Sequence, residues 1–266
     1  MIFNQDNNSI EVFNIGRLDN IKDKYLPIIQ EVEAFSSKEL GVNFESFYIR
    51  GSISSGKDTK FSDLDIVIVT KRGVSKKQEI RFFMYSEYLQ NKYKFVNGFE
   101  LATISFNKLI KDKNYFNLRV NLKTNSVLIA GKDIRIFLPR VILNRQFSKR
   151  MFDYAYSEYV DLKKYFLSNK EKSYLGKSRD SSFWCSWIMR VLSRSGMGIL
   201  MLNEKEYTND IRYISKKMAK RYPQFEPLFI QAAKWVVEPT PDKKEVKGFL
   251  NKHVDVYFKF WKKLLN

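Results

Sequence analysis

Apolar residues Leu18, Ile21, Tyr25, Ile28, Ile29, Val32 and Phe35 recur at three- and four-residue steps, a spacing that predicts an amphipathic helix over roughly 18–36. The period then changes. Phe47-Tyr48-Ile49 before Gly51 reads as a short buried strand, and Leu64 to Val69, rich in β-branched residues and bounded by Lys71-Arg72-Gly73, as a second. Helical spacing returns from about Lys76 to Tyr93 through Ile80, Phe83, Met84, Tyr88 and Leu89. Phe99 to Ile104 then forms a third strand after Asn97-Gly98. Short helices near 106–111 and through about 122 precede Ser126 to Gly131, a last short strand. This order predicts a mixed sheet with helices packed on it.

After Pro139 the strand signals stop. Residues 140–168, 181–202, 208–221, 225–237 and 245–265 each carry helical spacing, broken by polar stretches such as 168–172 and by Pro239-Thr240-Pro241-Asp242. A helical bundle follows. The expected architecture is α+β, with a sheet domain over 1–138 and a bundle over 139–266. A length of 266 residues suits two domains.

Composition narrows the chemistry. One cysteine, Cys185, cannot form an intrachain disulfide, and among Phe183, Trp184, Trp187 and Ile188 it reads as core filler. Trp184 and Trp187 read as bundle core too, while His253, in a lysine-rich last helix, reads as surface. One His and one Cys cannot build a zinc site of the His/Cys kind, so catalysis would use carboxylates. No apolar run approaches a membrane span and the first residues lack a secretory pattern, so the expectation is a cytoplasmic protein with no membrane partner. The formal net charge of +18 favours anionic partners such as nucleotides or RNA, although a base-composition bias would also produce it.

The informative segment runs from Arg50 to Asp65. Gly51-Ser52 follows a strand, where a missing side chain lets backbone approach a phosphate and the hydroxyl supplies a donor. After ten further residues come Asp63-Leu64-Asp65. On a strand, a two-residue step puts both carboxylates on one face while Leu64 and Ile66 enter the core. Two such carboxylates without a basic partner repel, and a bridging divalent cation relieves them. Mg²⁺ with substrate phosphates is the expected occupant, which makes phosphoryl-type transfer the expected chemistry. Glu100, on the next strand, is the candidate third metal ligand or general base; Asp112 and Asp133 read as ordinary surface charges.

Gly51-Ser52, ten residues, then Asp63-Leu64-Asp65 resembles the signature of the DNA polymerase β-like nucleotidyltransferase superfamily over about residues 20–135. The second half, through Asp180, Arg190, Gly198 and the run from Ala219 to Leu228 and on to Ala233, resembles the helical domain of the streptomycin/spectinomycin adenylyltransferase family. The resemblance implies Mg²⁺ on Asp63 and Asp65, nucleoside triphosphate phosphates on Gly51 and Ser52, and Glu100 as general base toward an antibiotic hydroxyl. It also implies Arg190 and Lys205 reaching the ATP phosphates from the helical domain, with Asp180 contacting the acceptor. Ungapped spacing sets Asn203 at the lysine position, and the Trp and second Asp used for streptomycin fall on Glu171 and Gly176.

The resulting expectation is a two-domain, Mg²⁺-dependent nucleotidyltransferase, most simply an ATP-using adenylyltransferase, with an aminoglycoside-like hydroxyl as acceptor. The alternatives are transfer to tRNA, other RNA or a protein hydroxyl, and a catalytically inactive nucleic-acid-binding relative. Lys216, Lys217, Lys220 and Arg221 could track an RNA backbone, though charged helix faces are usually solvated.

Overall fold

A computed structural model describes residues 10–168, 173–174, 177–178, 180–204, 207–208 and 210–265. The chain divides into a sheet unit, Val12–Val141, and a helical unit from Ile142 onward that also takes in the N-terminal strand β1 (Ile10–Glu11).

In the sheet unit the expected first helix is split. Two 3₁₀ turns, Leu18–Asn20 and Asp23–Tyr25, lead into α1 (Leu26–Leu40), which starts where Pro27 occupies the first turn. Proline's fixed φ suits that position, and its missing N–H is one the first turn leaves unpaired anyway. Then follow β2 (Phe44–Arg50), one helical turn α2 (Gly51–Ser54), β3 (Leu64–Thr70), α3 (Lys76–Lys92) and β4 (Phe99–Ser105). Ser75 and Gln78 form a capping box at the start of α3. The unit ends with α4 (Phe106–Lys111), α5 (Phe116–Thr124) and β5 (Ser126–Gly131).

The strand order is β4-β3-β2-β5, with β3 and β4 parallel and the other pairs antiparallel. Both faces are covered, which is why β3 reads as a nearly continuous apolar run. Leu64, Ile66 and Ile68 pack with Ile28 and Val32 of α1 and Phe82 and Leu89 of α3. Val67 and Val69 pack with Tyr48, Leu109 of α4 and Leu122 of α5 on the other side. Only the Asp65 end of β3 escapes this covering, with 19% of that side chain exposed.

Helix α3 turns differently from the stripe read in the sequence. Phe82, Tyr85 and Leu89 face the core, Tyr85 stacking on Phe35 with ring centres 3.7 Å apart. Ile80, Phe83 and Met84 are 51%, 67% and 64% exposed.

In the helical unit, β6 (Ile142–Leu143) pairs antiparallel with β1, and α6 (Arg145–Leu167) starts at a cap in which Asn144 Oδ1 accepts from Phe147 N at 2.8 Å. A two-residue ribbon, β7 (Ser173–Tyr174) with β8 (Lys177–Ser178), leads to α7 (Ser181–Glu204). Helices α8 (Ile211–Arg221) and α9 (Glu226–Val237) pack on it. The expected last helix is α10 (Lys243–Phe249) and α11 (Asp255–Leu265), joined through a π-helical turn at Leu250–Val254. Helix α7 is the core of the bundle: Ile188, Met189, Leu192 and Ile199 are fully buried. Cys185 is buried among them, and burial pushes its thiol up to about 12, so it packs and does not react. Trp184 and Trp187 are only half-buried, stacked with ring centres 5.7 Å apart, and Trp187 Nε1 donates to Glu158 Oε1 at 2.9 Å.

Candidate active site

Strand alternation puts Ile49 in the core and Arg50 on the opposite face of β2, and it puts Asp65 on the same face as Val67 and Val69. The register sets Arg50 beside Asp65 and Asp65 beside Glu100, so three charged side chains cross the sheet in one row. Arg50 Nη2 lies 2.7 Å from Glu100 Oε1 and 3.6 Å from Asp65 Oδ1. The acidic pair therefore has a basic partner, contrary to the premise drawn from the sequence. Arg50 gave no sequence signal as a site residue, because its place depends on antiparallel pairing of β2 with β3.

Asp63 is the residue before β3 and not part of the strand. Leu64 N donates to Gly98 O at 2.8 Å, and Asn97 Nδ2 donates to Asp63 Oδ1 at 2.6 Å, so the Asn97-Gly98 turn holds the carboxylate in place of a ladder. Asn97 is a second residue the motif did not mark. Asp63 nevertheless stays close enough for its charge to act on Asp65.

The turn after β2 also differs in detail. Gly51 has φ +82°, and a Cβ there would overlap the Asp65 Oδ2 oxygen. Its missing side chain thus makes room for the carboxylate, while its N–H donates to Asn125 O at 3.2 Å. Ser52 Oγ donates to the buried Ser62 Oγ at 2.9 Å, and that oxygen accepts from Thr59 N at 2.9 Å. Ser54 Oγ donates to Gly51 O at 2.9 Å. These bonds fix the turn against Asp65.

Burial pushes the Asp65 carboxyl up to about 7; the Arg50 charge opposes this, and the charges of Glu100 and Asp63 add to it. A carboxylate in this setting gains from a cation. Among the described residues, no three acidic, His or Cys side chains converge as a metal cage. Glu100 is engaged by Arg50 and is not gathered as a third ligand. Two hard carboxylates, Asp65 seated against the Gly51 backbone and Asp63 beside it, fit Mg²⁺, which takes one or two protein carboxylates and completes its shell with water and phosphate oxygens.

Asp112 and Asp133 stand outside the row. Asp112 accepts from Asn114 N, and Asp133 is held by Arg135 at 2.7 Å and by Tyr48 Oη at 3.0 Å. Arg190 and Asp180 belong to the helical unit. Arg190 is half-buried on α7, and Asp180 caps that helix by accepting from Phe183 N at 2.9 Å. Lys205, Glu171 and Gly176 lie outside the described residues.

Residues 28–138 match the family model of a nucleotidyltransferase domain. No curated protein matches the sequence. Among solved structures, the chain is similar to spectinomycin adenyltransferase AAD(9) from Enterococcus faecialis, determined with ATP and spectinomycin, at 14% identity and a TM-score of 0.53. That likeness covers 85% of this chain and 99% of the other, and at this identity it is a likeness of fold. The family model takes in the charged row and the turn before it, so this chain carries a nucleotidyltransferase domain, on a fold it shares with a spectinomycin adenyltransferase.

Proposed function

We propose that the chain catalyses Mg²⁺-dependent transfer of AMP from ATP to a hydroxyl of a small cationic acceptor of the aminoglycoside or aminocyclitol kind. The observation that carries this reading is the row of Arg50, Asp65 and Glu100 beside Asp63 and the Gly51 turn. Asp63, Asp65 and Glu100 concentrate acid at this row in a chain of net charge +18, so a cationic acceptor finds its attraction there rather than on the basic remainder. The nucleotide of the similar solved enzyme, and its aminocyclitol, fit the same reading.

Asp63 and Asp65 would hold the metal, which when bound shields the charge of the triphosphate and of the departing pyrophosphate. Gly51 leaves room for the Asp65 carboxylate to lie against the turn, and the Ser52 hydroxyl donates to a phosphate oxygen after leaving Ser62. The acceptor oxygen bonds to the α-phosphorus as the bond from that phosphorus to the bridging oxygen breaks. The proton of the acceptor hydroxyl goes to Glu100, one strand from Asp65. Arg50 bridges Asp65 and Glu100 and so limits the repulsion between them. Arg190, Lys205 and Asp180 are retained as phosphate and acceptor contacts of the helical unit. The rate gain in this scheme comes from positioning and electrostatics.

The test is incubation of the protein with Mg²⁺, ATP labelled at the α-phosphate and a panel of aminoglycosides and aminocyclitols. Label on an acceptor, with pyrophosphate released, supports the reading. Glu100→Gln should lower kcat by about 100-fold or more with a smaller change in nucleotide affinity. A loss confined to nucleotide affinity would remove Glu100 as the base.

A further inference from the structure

Of the positive excess, most falls in the second half: residues 142–266 hold 25 Lys and Arg against 13 Asp and Glu. Within the helical unit, part of it converges on a groove of about 750 Å³ between α6 and α11. The two helices meet there through aromatic side chains, Tyr156 and Tyr159 of α6 lying 5.4 and 4.7 Å, ring centre to ring centre, from Phe258 of α11. Lysines stand on both rims, Lys164 on one and Lys259, Lys262 and Lys263 on the other. The acid in the groove, Asp255, accepts from Tyr159 Oη at 2.6 Å and pairs with Lys163, each through one oxygen, and stays partly exposed. Lys164, Lys259, Lys262 and Lys263 have no carboxylate partner among the described residues. Lys262 Nζ rests 4.6 Å from the centre of the half-buried Tyr156 ring.

Four uncompensated cations facing each other across a trough call for a polyanion. A concave trough suits a strand better than a flat lipid surface. The Tyr156 ring face that Lys262 Nζ covers becomes a platform for a base once that lysine turns to a phosphate, the combination by which single strands are held without sequence preference. Asp255, whose side chain is 40% exposed, places an acceptor oxygen within the groove, which a ribose 2′-hydroxyl can use and deoxyribose cannot. We propose that the α6/α11 groove binds single-stranded RNA, its phosphates on the four rim lysines and a base on Tyr156. The site uses the helical unit alone, so it stands or falls independently of the acceptor chosen at Asp65.

The test is fluorescence anisotropy of a labelled twelve-nucleotide RNA against the full chain, from about 50 to 200 mM KCl, with DNA of the same sequence, inorganic triphosphate and anionic lipid vesicles as parallel arms. Wild-type binding in the micromolar range should weaken with salt, as phosphate contacts require. The quadruple variant Lys164→Gln, Lys259→Gln, Lys262→Gln, Lys263→Gln should bind at least about tenfold more weakly and flatten the slope of log K against log salt by about two or more. A control losing Lys77, Lys94, Lys111 and Lys113, exposed lysines of the sheet unit, should stay within about threefold of wild type. The two double variants, Lys164/Lys259 and Lys262/Lys263, should each show part of the effect, so that a misfolded quadruple would not decide the matter. Equal losses in the groove and control variants would overturn the assignment. So would capture of vesicles or DNA in preference to RNA, or triphosphate binding that exceeds RNA binding and is lost in the groove variant.

Discussion

Asp65 is where the charge balance of the site is set. Its carboxyl is raised to about 7 by burial first and by its acidic neighbours after that. Protonation therefore favours the folded, metal-free protein, a contribution complete below the unfolded value of about 4 and lost as pH rises through about 7. Melting temperatures of wild type and Asp65→Asn, measured without metal from pH 5.5 to 8.5, should diverge with pH, the variant becoming the more stable. Parallel curves would show that the carboxylate is not under stress. In the same variant, and in Asp63→Asn, transfer should fall by about 100-fold or more with the fold retained. Gly51→Ala should also abolish activity, because its Cβ would strike Asp65 Oδ2 and φ is +82°. Gly41→Ala, at φ +51° and ψ −126° with nothing within 4 Å, should cost about 1–3 kcal/mol of stability by denaturant titration and leave activity intact. At this scale the spacing singled out the acids and the glycine, though not that Asp63 lies off the strand or that Gly51 makes room for Asp65, and it gave no sign of Arg50 and Asn97. Their roles come from the β2/β3 register and from a hydrogen bond across a turn, neither of which a linear motif encodes.

Strands were easier to read than helix faces. Leu64–Thr70 announces itself because both of its faces are buried, so branched apolar residues follow one another without a break. The ends of α1 and α6 were set by Pro27 and Asn144, local signals that override an apolar pattern extending past them. The π turn inside the last helix had no such mark. In α3 two apolar stripes lie side by side, and periodicity alone picks the wrong one; packing on Phe35 chooses Phe82 and Tyr85. Accordingly Phe82→Ala should cost about 3–5 kcal/mol in denaturant unfolding, whereas Phe83→Ser should stay within about 0.5 kcal/mol. Equal costs would mean that the helix is turned the other way.

For the whole molecule, an acidic reaction site and a basic body are compatible once charge is placed. The sheet unit gathers Asp65 and Glu100 in one row with Arg50, and Asp63 beside it, although residues 12–141 hold 22 Lys and Arg against 14 Asp and Glu, and residues 142–266 add 25 against 13. Net charge alone pointed to an anionic partner without saying which surface would meet it. No helix among the described residues is long and apolar enough to cross a membrane. The most direct test of the central claim is therefore transfer of α-labelled AMP by wild type and Asp65→Asn side by side, with and without Mg²⁺, over the acceptor panel. The account predicts a labelled acceptor only with wild type and Mg²⁺ together. Undiminished labelling by Asp65→Asn, or by wild type with Mg²⁺ chelated, would contradict it.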